Sequence, residues 1–302
     1  MNARAAAFLC ALALAGCEDA VATFGRPGLG DGEFREPRAV SVSGHGIAVI
    51  DRSGRLQLFT LDGRFASKFA VAGDNVRRGL PCGVAWLEDG SLAVADTHQG
   101  YVRVFSAAGE TLAHMGGFGA EPGQLNMPQR VAELADGRLA VTDYGISLCN
   151  RVQVFARDGA AQRLFGGPEP ENGGLQRPMG VVPRADGSFV VADQKAGLVV
   201  FDAAGKFAGN FGGNAPSQGT LLYGLCRAND GTFYASDIGH DRLLRVAADG
   251  TPRGSFGHSG VAPGEFLEPW DVAWFGGRLY VADKGNHRVQ RIDPARVPWE
   301  AP

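Results

Sequence analysis

Six aspartates recur along the chain at nearly equal intervals. Each ends a short apolar run of the Val-Ala-Asp type, and they are Asp51, Asp96, Asp143, Asp193, Asp237 and Asp283. Subtracting neighbouring numbers gives gaps of 45, 47, 50, 44 and 46 residues. A period of roughly 40–50 residues with strand-like content is typical of propellers and solenoids. The chain is therefore predicted to consist of six copies of one unit.

Each copy has the sequence pattern of four short strands joined by turns. It opens with Gly-x-Phe/Leu-x-x-Pro, as at residues 32–37, 123–128 and 264–269, and an apolar strand follows. Asp-Gly pairs such as Asp136-Gly137 then indicate a hairpin, because both residues of its turn need positive φ. The second strand ends in the repeated aspartate, the third alternates, and the fourth closes on Phe-Gly. Such a unit is predicted to form one antiparallel blade.

The two ends of the repeat array are complementary. The sixth copy reaches Asp293 and Pro294 without a fourth strand, whereas residues 21–25 match the end of one. Moving this N-terminal strand into the last blade leaves no unpaired edge at the seam. We therefore predict an all-β fold, a six-bladed β-propeller of four-stranded antiparallel blades closed by the N-terminal strand.

The first 20 residues differ from the rest of the chain. Arg4 precedes an apolar stretch, residues 5–15, of signal-peptide length. Residues 14–17, Leu-Ala-Gly-Cys, resemble the lipobox of bacterial lipoproteins. The resemblance implies that Cys17 is acylated and becomes the first mature residue, and several acyl chains anchor a protein stably. The alternative is a plain secretory signal with a chance cysteine.

These features define three predicted parts of the chain. Residues 1–16 are a lipoprotein signal peptide, residues 17–293 are the propeller with a short acidic linker at 18–20, and residues 294–302 are a C-terminal tail. The expected location is the bacterial cell membrane or outer membrane, with the protein lipid-anchored and facing the periplasm or the exterior.

Composition restricts the partners. The formal charge is −3 and 20% of residues are charged, so no basic patch indicates a nucleic-acid partner. No apolar run reaches the roughly 18–20 residues of a membrane-spanning helix. The expected partners are the membrane, through the lipid anchor, and an unidentified protein, peptide or glycan.

The repeat resembles the NHL repeat. The last copy carries Gly-Asn-His-Arg-Val at residues 285–289, and the resemblance extends over nearly all of the mature chain. Three copies depart from the opening pattern: the second keeps only residues 79–81, the fourth has the degraded form at residues 174–178, and in the fifth Tyr223 replaces the proline. The resemblance implies a six-bladed propeller, in agreement with the strand count.

The repeated aspartates are candidates for a metal ring, but a structural role is favoured. Aspartate accepts backbone N–H bonds in turns, and each is followed by a glycine-rich loop. Several also face the arginine that opens the third strand, namely Arg55, Arg151, Arg242 and Arg288. A residue that serves every blade equally does not define one site.

A binding site is expected where the copies differ. Residues just before the first strand of each blade should ring one mouth of the central channel. They are Arg38, Cys82, Gln129, Arg130, Met179, Tyr223, Trp270 and Asp271. Apolar surface with a few polar groups is typical of ligand pockets. All of these except Cys82 are candidate ligand-binding residues; the alternative is that they are ordinary loop and packing residues.

Catalytic metal sites are less well supported. Peptide-amidating lyases with a similar propeller place metal in the channel, and lactonase-type propellers bind calcium there. His98 and His240 fall in opposite blades, too far apart for one zinc ion, and His287 belongs to the repeat signature. We find no matching calcium set. No cofactor is therefore expected, and Ca or Zn would enter only if the protein were an enzyme.

Three cysteines remain after the predicted processing: Cys82, Cys149 and Cys226. The third blade has the longest second-to-third loop, residues 144–150, and a disulfide between Cys149 and Cys82 of the adjacent blade is predicted. The alternative is three separate thiols.

Three functions are compatible with this sequence. The first is a non-catalytic, lipid-anchored binding module with its ligand at the channel mouth. The second is a metal-dependent lyase or lactone hydrolase, an interpretation based on fold analogy. The third is an extracytoplasmic assembly factor that uses its outer strands.

Overall fold

A computed structural model describes residues 19–71, 81–145, 149–211 and 219–301. The predicted signal peptide (1–16), Cys17 and the first linker residue lie outside these ranges. The described part is almost entirely β, with one short 3-10 helix at Pro170–Asn172. Within the same ranges, no helix is both long and apolar enough to span a membrane.

The strands follow one another in sets of four. The N-terminal strand is β1 (Val21–Phe24). Blade 1 contains β2 (Pro37–Ser43), β3 (Gly46–Asp51), β4 (Arg55–Phe59) and β5 (Phe65–Ala70). Blade 2 contains β6 (Pro81–Trp86), β7 (Leu92–Asp96), β8 (Tyr101–Phe105) and β9 (Thr111–Gly116). Blade 3 contains β10 (Met127–Glu133), β11 (Leu139–Tyr144), β12 (Arg151–Phe155) and β13 (Ala161–Phe165).

The remaining three blades repeat this order. Blade 4 contains β14 (Pro178–Pro183), β15 (Phe189–Asp193), β16 (Gly197–Phe201) and β17 (Phe207–Asn210). Blade 5 contains β18 (Leu222–Arg227), β19 (Phe233–Asp237), β20 (Arg242–Val246) and β21 (Pro252–Phe256). Blade 6 contains β22 (Pro269–Phe275), β23 (Arg278–Asp283) and β24 (Arg288–Ile292).

The N-terminal strand closes the ring. Within the described ranges there are six four-stranded sheets, and the last has the order β1-β24-β23-β22. Val21 pairs with Ile292 and Phe24 with Val289 in an antiparallel ladder. The predicted six-bladed propeller and its closure by the N-terminal strand are both confirmed.

The propeller has two faces. The inner strands β2, β6, β10, β14, β18 and β22 begin on one face, where the repeated aspartates also end the second strands; we call it the mouth face. The hairpins between first and second strands, such as Asp136-Gly137, lie at the opposite end of each blade, which we call the turn face.

The Phe-Gly at the end of a fourth strand has a steric explanation. Gly25 and Gly257 have φ values of 90° and 91°. A Cβ on either would collide with the ring of Phe34 or Phe266, the aromatic residue of the following Gly-x-Phe segment. Both rings are fully buried. Glycine therefore makes room for the side chain that seals each junction between blades.

The hydrophobic core lies between blades rather than in the channel. Six clusters of buried residues occur in the described part, and each joins two neighbouring blades. The seam cluster, for example, contains Phe34 and Ile47 of blade 1 with Tyr280 and Val289 of blade 6. Each blade is thus buried on both faces by its neighbours, which is the packing that a closed ring requires.

The C-terminal tail packs on blade 5. Glu300 and Ser255 exchange backbone hydrogen bonds of 2.8 and 3.0 Å beside β21. The Trp299 ring lies 5.5 Å from Tyr234 and 5.8 Å from Phe256, and the Arg245 guanidinium lies 4.7 Å above it. The tail therefore covers part of an outer edge that would otherwise be open to strand addition.

Candidate functional site

Each inner strand begins with an irregularity in its ladder. In blade 1, Pro37 pairs with Asp51 and Ala39 with Ile50, so Arg38 stands outside the ladder. The same shift occurs in the other five blades. In blade 5 it is Leu222 that pairs with the aspartate, so Leu222, and not Tyr223 as we inferred from sequence, occupies the proline position. Bulges of this kind redirect a side chain out of the sheet.

The bulged residues converge on one mouth of the channel. A single small cavity is lined by Arg38, Cys82, Gln129, Arg130, Met179, Tyr223 and Trp270. Its free space is about that of one water molecule. Seven of the eight residues that the sequence placed at the mouth therefore meet there, and the eighth, Asp271, lies directly beneath.

The layer below the mouth is formed by the residue that directly follows the bulged residue in each inner strand. Four of the six are small: Ala39, Gly83, Gly180 and Gly224. The other two are Arg130 of blade 3 and Asp271 of blade 6, which face each other across the ring. Their side chains form a bidentate ion pair, and both are buried, at 9% and 1% exposure.

This ion pair closes the channel. Asp271 also accepts hydrogen bonds from the backbone N–H of Val40 at 2.8 Å and of Val272 at 2.6 Å. On the far side, a cavity of about 220 Å³ is lined mainly by apolar inner-strand residues, seven of them valines, and opens toward the turn face. Arg130 and Asp271, which the sequence placed among the candidate ligand-binding residues, are engaged with each other. Arg130 also lines the mouth cavity, but a ligand there would have to break the pair to reach the Asp271 carboxylate.

Trp270 is the centre of an aromatic and cationic group. Tyr223 stacks on it at 4.9 Å with an interplanar angle of 27°. The Arg38 guanidinium lies 5.1 Å from the ring and the Lys284 ammonium 4.6 Å. Burial raises the pKa of Tyr223, whose side chain bonds with Gln194. The phenol is therefore neutral at physiological pH.

Sequence reasoning missed a second ring around the first. It consists of the residues that directly follow the repeated aspartates: Arg52, Thr97, Tyr144, Gln194, Ile238 and Lys284. Three of them touch the bulged residues: Thr97 bonds Gln129 at 3.4 Å, Gln194 bonds Tyr223, and Lys284 covers Trp270. The sequence could have indicated this second ring, because the residue after the repeated aspartate varies between copies just as the bulged residue does.

The repeated aspartates hold the segments between blades. All six are at most 1% exposed. Asp193, for example, accepts backbone N–H bonds from Gln176 and Arg177 before its blade and from Lys195 and Ala196 after its strand, at 2.7–2.9 Å. The donors before the blade were not anticipated from sequence. They lie 16–17 residues upstream and tie the start of the inner strand to the second strand. Among the described residues, such donors are found for every repeated aspartate except Asp96.

Four aspartates also pair with the arginine that opens the third strand. The pairs are Arg55–Asp51, Arg151–Asp143, Arg242–Asp237 and Arg288–Asp283, at 2.6, 3.3, 3.1 and 2.7 Å. Arg55, Arg151 and Arg288 also donate to carbonyls of the inter-blade segment, as Arg288 does to Ala262 and Glu265. These contacts leave the carboxylates occupied within their own blades.

The three described cysteines are thiols. The disulfide predicted between Cys82 and Cys149 is not formed in the structure. Cys82 lies at the mouth, where Sγ is 3.5 Å from Arg38 Nη1. Cys149 is 1% exposed next to Asp143 and Arg151, and burial raises its pKa. Burial also raises the pKa of Cys226.

A metal centre is not assembled by the residues that the structure describes. Over those ranges, no group of three or more His, Cys, Asp or Glu side chains is placed to hold an ion. His240 Nδ1 bonds Asp237 at 2.9 Å, and His287 Nδ1 accepts the Glu36 N–H at 3.1 Å. The donor set at the mouth, a thiol, an amide and two guanidinium groups, does not fit the oxygen-rich shell of calcium or a closed zinc site.

Solved structures with the same fold were found by comparison. A streptogramin B lyase matches with a TM-score of 0.63 and 13% identity, over 90% of this chain and 96% of that one. Virginiamycin B lyase from Staphylococcus aureus matches at 0.59 and 12%, over 85% and 94%. A gluconolactonase from Xanthomonas campestris matches at 0.64 and 15%, over 85% and 86%. At such identities the likeness concerns the fold alone.

Comparisons of the sequence match a much shorter part of the chain than the comparisons of structure. No curated protein matches the chain in sequence. The NHL repeat family matches residues 266–292, which span the end of the last inter-blade segment and strands β22 to β24. The described chain is therefore a six-bladed β-propeller whose last blade matches the NHL repeat.

Proposed function

We propose that this protein is a lipid-anchored, extracytoplasmic binding module that holds a protein, peptide or glycan at the channel mouth. The observation that carries the proposal is the convergence of six unlike bulged side chains on one small cavity. A rigid scaffold with variable residues at one end is a common basis for recognition.

The closed channel supports recognition at the mouth. The Arg130–Asp271 pair blocks the channel one layer below the bulged residues. A ligand approaching from the mouth face therefore meets a floor, with aromatic and cationic groups around it. Binding there needs no change in the ring itself.

The direction of β1 supports an outward-facing mouth. Val21 pairs with Ile292 at the turn face, and Phe24 pairs with Val289 next to the mouth face. Cys17 precedes Val21 by four residues, which span at most about 14 Å. An acylated Cys17 would thus attach at the turn face, on the outermost strand, and the mouth would point away from the bilayer.

Membrane attachment is tested by replacing the lipidated residue. Cys17→Ser should move the protein from the membrane fraction to the soluble periplasmic or secreted fraction, and should remove the mass of the acyl chains. A Cys82→Ser variant is the matched control and should stay in the membrane fraction. Retention of Cys17→Ser in the membrane would refute lipid anchoring at this residue.

Binding at the mouth is tested by site-specific photo-crosslinking in cells. Benzoylphenylalanine in place of Tyr223 should yield a discrete crosslinked partner. The same amino acid in place of Leu61, 37% exposed on the turn face, should not yield that product. Identical products from both positions, or none from position 223, would refute the mouth as the binding surface.

The alternative function is a metal-dependent lyase or lactone hydrolase. It is supported by the likeness in fold to streptogramin B lyase and gluconolactonase. The polar residues of the mouth do not fit calcium or zinc, as described above. Metal analysis of the purified protein separates the two functions, because stoichiometric calcium or zinc that survives dialysis would favour the enzyme.

A further inference from the structure

Arg38 is a buried cation without a carboxylate partner. It is 9% exposed, and no Asp or Glu oxygen of the described residues lies within salt-bridge distance of its guanidinium. Its contacts are the Cys82 sulfur at 3.5 Å and the Trp270 ring at 5.1 Å. A buried guanidinium without a counter-charge is costly, and a cation–π contact offsets only part of that cost.

The nearby carboxylates are engaged elsewhere. Glu36 pairs with Arg52 at 2.8 Å, Glu268 pairs with Lys284 at 2.5 Å, and Asp271 pairs with Arg130. Each acid therefore has its own base. Among the described residues, Arg38 is a buried cation of the mouth without a direct carboxylate contact, and Glu36, which pairs with Arg52, interacts with it only at longer range. The group that would complete its surroundings is therefore an anion.

Two hydrogen-bond donors of the mouth are unused. Arg38 Nε and Trp270 Nε1 are both buried and have no hydrogen-bond partner among the described residues. Both side chains line the same small cavity. Buried donors are nearly always satisfied in folded proteins, so two in one cavity, one of them on a guanidinium without a direct carboxylate contact, indicate a missing acceptor.

We propose that this cavity receives the C-terminal carboxylate of a peptide or protein. The inference deepens the proposed binding function by naming the group recognised. One carboxylate oxygen accepts from Arg38 Nε and Trp270 Nε1 inside the cavity, and the rest of the head group lies at its open side, from which the chain leads outward past Met179 and Tyr223. The enclosed free space, about one water molecule, takes one oxygen atom and not the whole carboxylate.

The same geometry disfavours a sugar ring. Sugars bind aromatic side chains by stacking on an open ring face. Trp270 is already stacked by Tyr223 and approached by Arg38 and Lys284. The surroundings of Trp270 therefore favour recognition of charge over stacking of a ring.

The test uses the indole N–H signal of Trp270 in ¹H–¹⁵N spectra of the full-length protein in detergent, assigned with Trp270→Phe. The probes are acetyl-Gly-Gly-Leu with a free C-terminus and the same peptide as its carboxamide. The free acid should shift the signal saturably. The carboxamide should bind at least about 10-fold more weakly, since a charge-assisted hydrogen bond is lost.

Two arginine variants localise the effect. Arg38→Gln should weaken binding of the free acid by about 10-fold or more. Arg64→Gln, a matched change at an exposed arginine of the turn face, should leave it unaltered. Circular dichroism checks that both variants are folded.

Three results would overturn the proposal. They are equal binding of the acid and the carboxamide, binding that is unaffected by Arg38→Gln, and glucuronate binding more tightly than the peptide acid. If the peptide acid does not bind while benzoylphenylalanine at position 223 still captures a partner, the proposed binding function is retained and the proposed recognition of a carboxylate is rejected.

Discussion

At the scale of single residues, the layer below the mouth combines glycines in three blades with one ion pair that fills the space they leave. Gly83, Gly180 and Gly224 bring their strands close to the next blade. A Cβ on Gly224 would lie 2.6 Å from the Val272 nitrogen and 2.7 Å from Asp271 Cα. The absence of side chains in these blades leaves the space that the Arg130–Asp271 pair fills.

Gly224→Ala should therefore destabilise the protein by about 1–3 kcal/mol, because the neighbouring atoms are backbone and the added methyl overpacks the ring. Gly44→Ala is the matched control. A Cβ on Gly44, in a turn, has no neighbour within 4 Å, so this change should stay within about 0.5 kcal/mol. Urea unfolding measures both. Equal effects would contradict the close approach of blades 5 and 6.

Asp143 gives a prediction about pH. Burial raises the pKa of this carboxyl to about 6, despite backbone N–H bonds from Asn126 and Met127 that lower it. The pKa of aspartate in an unfolded chain is about 3.9. Between these values the folded protein binds more protons at Asp143 than the unfolded chain does. The contribution of Asp143 to the free energy of unfolding should therefore fall as pH rises from about 4 to 6.

The comparison variant for this prediction is Asp143→Asn, which cannot titrate. The free energy of unfolding of the wild type minus that of the variant should decrease between pH 4 and 6.5. A difference that increases with pH would mean that the carboxyl has a lowered pKa in the folded state.

At the scale of elements, a glutamine of the third strand holds the segment that precedes its own blade. Gln153 Oε1 accepts the Gly123 N–H at 2.9 Å, and its amide donates to the Gln124 carbonyl. Gln57 and Gln290 do the same in blades 1 and 6. All three are fully buried. These are the blades with the complete Gly-x-Phe/Leu-x-x-Pro pattern, and blades 2, 4 and 5 lack both features.

Gln153→Ala should leave the Gly123 N–H and the Gln124 carbonyl without their partner. The expected loss is about 2–4 kcal/mol, from two unsatisfied buried groups and the space left by the side chain. Hydrogen exchange at the Gly123 amide should accelerate. Gln162→Ala, on the exposed outer strand of the same blade, is the control and should change neither quantity measurably. Unchanged exchange at Gly123 in the first variant would contradict the role of Gln153.

The sequence predicts some of these features because their causes are local. Asp-Gly turns, alternating strands and the repeated aspartate fix the blades, and the phase of each inner strand puts Arg38 and Trp270 at the mouth. The Arg130–Asp271 pair could not be predicted in this way, because the two residues are 141 positions apart. The partnership of Gln153 with Gly123, 30 residues earlier, likewise depends on how the segment folds back.

At the scale of the whole molecule, the two chain ends and the channel pair complete the ring. The strand β1 closes blade 6, and the tail around Trp299 covers the outer edge of blade 5. Across the centre, Arg130 and Asp271 join blades 3 and 6, which stand opposite each other. The Arg130–Asp271 pair is central, because it joins opposite blades of the ring and forms the floor of the mouth.

A double-mutant cycle between Arg130 and Asp271 tests that arrangement most directly. The free energy of unfolding is measured for the wild type, Arg130→Met, Asp271→Ala and the double variant. Each single change should cost about 3–5 kcal/mol, because the remaining charge is buried without its partner. The double change should cost at least about 2 kcal/mol less than the sum of the two. Additivity within about 0.5 kcal/mol would mean that the two side chains do not meet, and the closed channel would be wrong.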